Sequence, residues 1–415
     1  MYLGLLRIIR RLDSKMLHVL VTNKRIVTGT IMITVLSFGT ICYNLQLQHF
    51  KEKDNASKKQ RSGQIIVNET ISNSSLNPTI DDYQQAAKIV QETFDTLQNP
   101  NDCNTTKSVL CEIPSNGFGH QVHLLTICFT VGFMTRRTVI IKTGGEHISI
   151  AVWGNLTLPL GKICFFHKEL PVEVNSLFGT EDIQVIKANF QTNYFDLHRT
   201  LPSYISHIIN HFHSNPSLWW AGQVAKFILR PNKSFEILIE KRKKELGFYF
   251  KTIGIYIETK SKEAQTRQYN LTNYKKFAEE WYRLYERKTG FRNSKRRIFI
   301  ASDEHLVLTE ATKIFSNYSI LFNTNVNHSY ALRSSLAGDI MLDTYMLSMC
   351  DYLICTMSSD ICRLAFELLQ SQHLDGSKLA LSLDCPYFID NLYRDRCKLM
   401  PTRADTFQNV IKNII

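Results

Sequence analysis

The sequence predicts an α/β fold built on parallel sheet, and three observations lead there. Its 415 residues are 44% apolar, enough for one or two α/β domains whose cores stand on their own. From Cys103 onward, short β-rich apolar runs at 138–141, 253–257, 297–301 and 352–355 alternate with helical patterns such as 273–287. That alternation is the mark of βαβ units. No internal repeat and no low-complexity tract breaks it.

Taken in chain order, the first element is a membrane segment. Residues 26–45 carry no charge, and about twenty residues at ~1.5 Å rise span the ~30 Å of bilayer hydrocarbon. Before them lie Arg7, Arg10, Arg11, Lys15, Lys24 and Arg25 against one acid, Asp13. Basic flanks stay on the cytosolic side, so residues 1–25 read as a cytosolic tail and the remainder as lumenal. The alternative is a cleaved secretory signal; a basic lead of about 25 residues without a small-residue cleavage site argues for an uncleaved anchor. The N-x-S/T triplets at Asn55, Asn68, Asn73, Asn104, Asn155, Asn232, Asn270, Asn317 and Asn327 all follow the apolar run, as a lumenal chain requires. The formal charge of +12 includes about five from the tail; the rest fits a basic solvated surface or attraction for an anionic ligand.

Residues 46–79 are rich in Lys, Gln, Ser and Asn and lack the apolar surface to fold alone; with the helix that follows, 46–100 reads as a stem. In that helix, 81–97, Tyr83, Ala87, Val90 and Phe94 fall at helical spacing. Its apolar stripe packs on the domain or on another chain, and a homodimer through it is one expectation. The folded part divides into an N-terminal α/β lobe, 101–250, and a second lobe, 251–415.

Ten cysteines in an oxidising lumen are candidates for bridges. Cys42 lies in the membrane segment. Cys355 and Cys362 flank a strand-to-helix turn and read either as a clip on that turn or as two reduced core thiols. No Cys/His cluster has zinc spacing, and no metal is expected.

Three further stretches stand out. The first holds Gly117-Phe118-Gly119 and Arg136-Arg137-Thr138. The second runs from Asn215-Pro216-Ser217-Leu218-Trp219-Trp220 to Leu229-Arg230-Pro231. The third holds Ala301-Ser302-Asp303-Glu304, Asp343 and Cys355-Thr356-Met357-Ser358-Ser359-Asp360-Ile361-Cys362-Arg363. Together they resemble the eukaryotic α1,6-fucosyltransferases and, more distantly, bacterial nodulation fucosyltransferases. The resemblance covers roughly 100–385 and implies a two-lobed glycosyltransferase fold related to GT-B, with a Rossmann-like C-terminal lobe. It implies bridges Cys103–Cys164, Cys111–Cys128 and Cys355–Cys362, while a further family bridge is absent at both ends, where Asn116 and His120 stand. The chain ends soon after the third stretch, so no SH3 domain of the animal type is expected.

What the resemblance implies for function is transfer of fucose from GDP-fucose to N-glycans at the Golgi membrane, with the catalytic part lumenal and no nucleic-acid partner. Such inverting enzymes use a base to deprotonate the acceptor hydroxyl while GDP leaves from the opposite face. Donor-binding roles carry over to Gly117 and Gly119 as a phosphate-facing turn, to Tyr256, to Asp343 as the guanine partner, and to Ser358 and Ser359 near the diphosphate. Against these stand a plain turn, a buried capping aspartate and a helix N-cap. Where the family has His-Val-Arg-Arg-Thr-Asp-Lys, this chain reads Tyr256-Ile257-Glu258-Thr259-Lys260-Ser261-Lys262. Both arginines are gone and Glu258 takes the place of the one that grips the diphosphate. The family's catalytic glutamate falls on Thr266, so Lys262 and Glu263 become the catalytic candidates, with Lys260 or Arg267 as replacement cations. Two readings follow: a working fucosyltransferase with a rearranged loop, or an inactive relative that binds glycan or a partner transferase. The first is preferred on family weight.

Overall fold

The computed structural model describes residues 78–387 except 115–116, 144–154, 162–170, 175–178, 189–200, 202, 249–250, 260–269, 291–294 and 324–332. The tail, the apolar run 26–45 and the stem before residue 78 lie outside the described residues. Among the described residues no helix is long and apolar enough to cross a membrane. Thr70–Ile415 form one compact unit.

That unit opens with α1 (Ile80–Gln98). A capping box starts it: Asp82 N donates to the Thr79 hydroxyl and Thr79 N to the Asp82 carboxylate, satisfying donors that a helix end leaves open. Tyr83, Ala86, Val90 and Phe94 are buried in the same core as the helices that follow. Phe94 stacks among Phe129, Phe133, Trp220 and Phe227. The stripe is therefore covered by its own domain, and the apolar face that suggested a homodimer is already occupied.

The first sheet comprises β1 (Ser108–Ile113), β2 (Thr138–Thr143), β3 (Val172–Val174) and β4 (Val185–Ala188), all parallel in the order β2-β1-β4-β3. Between β1 and β2 runs α2 (Phe118–Thr135), whose side chains from Gln121 to Phe133 are all buried. Thr126 and Thr130 satisfy their hydroxyls within the helix, on the Val122 and Thr126 carbonyls. Arg136 ends it in the left-handed conformation, φ 56°. Arg137 is buried and donates to the Thr180 and Gln184 carbonyls, tying β2 to the approach of β4. Three helices follow: α3 (Ser203–Phe212), α4 (Pro216–Ile228) and α5 (Lys233–Leu246). The Asn-Pro-Ser-Leu-Trp-Trp stretch is the start of α4: Asn215 caps Leu218 N, Pro216 sits in the first turn, and Trp220 Nε1 reaches the Thr130 hydroxyl at 3.0 Å. These motif residues serve packing.

The second sheet holds β5 (Thr252–Ile257), β6 (Arg296–Ser302), β7 (Tyr318–Leu321), β8 (Tyr352–Cys355) and β9 (Ala380–Ser382), again all parallel, in the order β7-β6-β5-β8-β9. The connecting helices are α6 (Leu271–Thr289), α7 (His305–Ile314), α8 (Arg333–Ser348) and α9 (Asp360–Gln370). The four apolar runs and the 273–287 pattern each fall inside β2, β5, β6, β8 and α6. Every residue of β5 is buried, as a central parallel strand demands. Ile253, Ile255 and Ile257 join the core under α6 and α7, whereas Tyr256 joins the core shared with α2, α4 and α9.

Two glycines set how close α9 comes to the first half of the chain. A Cβ on Gly222 of α4 would lie 2.4 Å from the Glu367 carbonyl oxygen, and one on Gly119 of α2 would lie 2.7 Å from Asp360 Cβ. Only glycine permits such contact. Disulfides Cys111–Cys128 and Cys355–Cys362 each tie a strand to the helix after it, with Cα atoms 6.2 and 6.1 Å apart. Cys103 is bonded too, and Cys164, its implied partner, lies outside the described residues.

Candidate active site

An open parallel sheet binds ligands outside the carboxyl ends of its strands where the strand order reverses. Here that point lies between β5 and β8. Tyr256 comes from the end of β5, and the turn 356–359 leads from β8 into α9. The Tyr256 phenol is raised well above its ordinary range by burial, then by the carboxylates of Glu258, Asp303, Asp343 and Asp360. Four acids therefore act on one ring at the mouth of the sheet.

Asp303, Asp343 and Asp360 are held by the fold. Asp303 Oδ1 accepts Thr259 N and its hydroxyl at 2.8 and 2.9 Å, joining the loops after β5 and β6. Asp343, on α8, is pushed up to about 7 by burial, with Asn323 opposing the shift and Asp339 adding to it. Asp360 receives the Arg363 guanidinium, and the Nδ1 atoms of His123 and His120 lie 3.5 and 3.9 Å from its carboxylate. Burial opposes a charged His123, yet Glu367 and Asp360 outweigh it against Arg363, so its pKa is raised. Behind it, Glu367 is buried and accepts the Tyr387 hydroxyl at 2.9 Å.

The turn after β8 is organised from below. Asp384, buried past β9, accepts Met357 N at 2.8 Å, Ser358 N at 3.3 Å and Cys385 N and the Ser382 hydroxyl at 2.7 Å. Ser359 is the N-cap of α9, with Oγ 3.5 Å from Cys362 N, and is 1% exposed. Its hydroxyl is spent on the helix, the plainer of its two readings.

Asp360, next to Ser358 and Ser359 in the chain, lies against Gly119 and, like Asp343, acts on Tyr256. Gly117 stands a step away as the N-cap of α2, where an added Cβ would meet nothing within 4 Å. Lys262 and Glu263, with Lys260, Thr266 and Arg267, lie outside the described residues. Sequence reasoning passed over His123, Glu367 and Asp384. Asp360 and Arg363 stood in the third stretch, and their i,i+3 spacing was the available signal. No group of His, Cys, Asp or Glu among the described residues has metal-holding geometry.

The Drosophila melanogaster alpha-(1,6)-fucosyltransferase is 27% identical over 310 residues, 72% of this chain and 49% of that protein. The Caenorhabditis elegans alpha-(1,6)-fucosyltransferase is 28% identical over 330 residues, 74% of this chain and 57% of that protein. The chain spans about half the length of these relatives. Among solved structures, fucosyltransferase NodZ from Bradyrhizobium aligns with a TM-score of 0.37 at 14% identity, over 68% of this chain and 96% of that one. An Arabidopsis thaliana FUT1 mutant in complex with GDP aligns at 0.43 and 11%, over 72% and 80%. A family model of the alpha-(1,6)-fucosyltransferase N- and catalytic domains matches residues 46–388, and the chain belongs to that family.

Proposed function

We propose that the chain transfers fucose from GDP-fucose to N-glycans, anchored by residues 26–45 as a single-pass type II protein with its catalytic part in the Golgi lumen. One observation supports the donor site: Asp343 and Asp360 both act on Tyr256, on the strand beside the reversal of strand order, and Asp360 lies against Gly119. Asp343 takes the guanine, its carboxylate accepting ring and exocyclic N–H donors. Tyr256 lines the floor, and Ser358 offers its hydroxyl from the turn. The proton of the acceptor hydroxyl goes to Glu263 with Lys262 beside it. The one-sided charge before residue 26 and the sequons after it support the topology.

The acid ring supports a second reading, an inactive relative that binds glycan or a partner transferase. Glu258, Asp303, Asp343 and Asp360 all act on Tyr256, where a diphosphate would add two more negative charges. Calorimetric titration of the full-length chain with GDP and GDP-fucose, followed by a transfer assay on an N-glycan acceptor, separates them. Binding with transfer is the expected result. Binding without transfer, or none, moves the chain to the second reading.

A further inference from the structure

The turn that leads into α9 offers what a phosphate needs: backbone amides, the positive end of a helix dipole and an arginine alongside. In this chain the protein's own carboxylates already engage those groups. Asp384 draws the Met357 and Ser358 amides toward β9. Arg363, itself 1% exposed, turns its guanidinium to Asp360, and His123 and His120 face the same carboxylate. Asp360 keeps 19% of its side chain exposed and Arg363 1%, so solvent meets the acid and not the guanidinium behind it. Its contact with Gly119 and its action on Tyr256 put it beside both other walls of the site.

We propose that Asp360 is a resident counter-anion at the head of α9, standing where a ligand phosphate would otherwise draw on Arg363, and that it sets the affinity of the site for diphosphates. The proposal rests on the donor-site reading above. Arg363 on its own helix and His120 and His123 on α2 face Asp360; Glu367 faces His123, and Glu258, Asp303 and Asp343 act with Asp360 on Tyr256. Replacing one carboxylate by an amide leaves this set with one negative charge fewer on the side a phosphate approaches.

The test is titration of the full-length chain and its Asp360→Asn variant with GDP and with guanosine, at low and high salt. Asp360→Asn is expected to bind GDP at least tenfold more tightly at low salt, with a smaller gain at high salt and no change for guanosine. Asp360→Glu keeps the charge and is expected to match wild type. Should Asp360→Asn fail to fold with Arg363 left buried, His120→Lys supplies a fixed cation 3.9 Å from the carboxylate without removing the partner, and is expected to raise GDP affinity too. GDP binding by wild type with no gain in the variants, or an equal gain for guanosine, overturns the proposal alone. No binding of GDP by any of the proteins overturns it together with the donor site.

Discussion

Gly119→Ala is expected to part the heads of α2 and α9, while Gly117→Ala, two residues away, is expected to be tolerated. On Gly119 the new Cβ would lie 2.7 Å from Asp360 Cβ and 3.0 Å from its carbonyl carbon. Carbons rest at ~3.5–4.0 Å, so the helices must separate by roughly 1 Å. Overpacking of this size costs about 1–3 kcal/mol, and the better helix propensity of alanine returns up to about 1 kcal/mol. A net loss of ~1–2 kcal/mol remains. Gly117 has φ −60° and open space around it; there a poorer cap and a less flexible unfolded chain offset one another to within about 0.5 kcal/mol. Urea unfolding followed by the fluorescence of buried Trp219 and Trp220 measures both. Equal stability of the two variants would refute the reasoning, because it would mean that α9 does not press on α2 at Gly119.

Glu258→Arg is expected to raise GDP affinity at least tenfold, which needs only about 1.4 kcal/mol, with the gain shrinking in salt; no gain, or one indifferent to salt, means that Glu258 does not face the diphosphate. Asp343 releases its proton at about 7 when folded and at its ordinary 3.8 when unfolded, so the folded state holds the extra proton between those values. Stability should therefore fall as pH rises from 4 to 7 and level off above, and Asp343→Asn should flatten that fall in urea midpoints measured across the range. A wild-type profile unchanged by Asp343→Asn would remove the shift. Replacing Cys355 and Cys362 together by serine should cost about 2 kcal/mol for so short a loop, seen as a lower urea midpoint, whereas an unchanged midpoint would show that the turn is set by Asp384 and the Ser359 cap alone.

How much was legible depended on what each residue's signal refers to. β5 announced itself because Ile253, Ile255, Ile257 and Tyr256 are buried on both faces, leaving a continuous apolar run. α1 was visible through its spacing, though not the identity of the surface it covers, since periodicity gives a face and not its partner. Strand order was not readable from local pattern, since nothing local distinguishes β5 beside β8 from β5 beside β7; only the resemblance to a Rossmann-like lobe carried it. Ser359 carried two meanings in one letter, and burial chose the cap. Asp384 gave no sign, being a single acid beyond the third stretch whose donors are backbone amides that every residue possesses. Gly117 and Gly119 looked alike, and only the approach of Asp360 separates a required glycine from a permitted one.

The contacts of α9 have a mechanical consequence. Gly222 brings α4 against the Glu367 carbonyl and Gly119 brings α2 against Asp360, so the helix is fixed at its head and along its length by two contacts too close for a side chain on either glycine. A lever of that kind does not slip: moving the second sheet against the first would drag α2 and α4 with it. Heat should then release both sheets in a single cooperative event, with no intermediate in which one half has melted and the other stands.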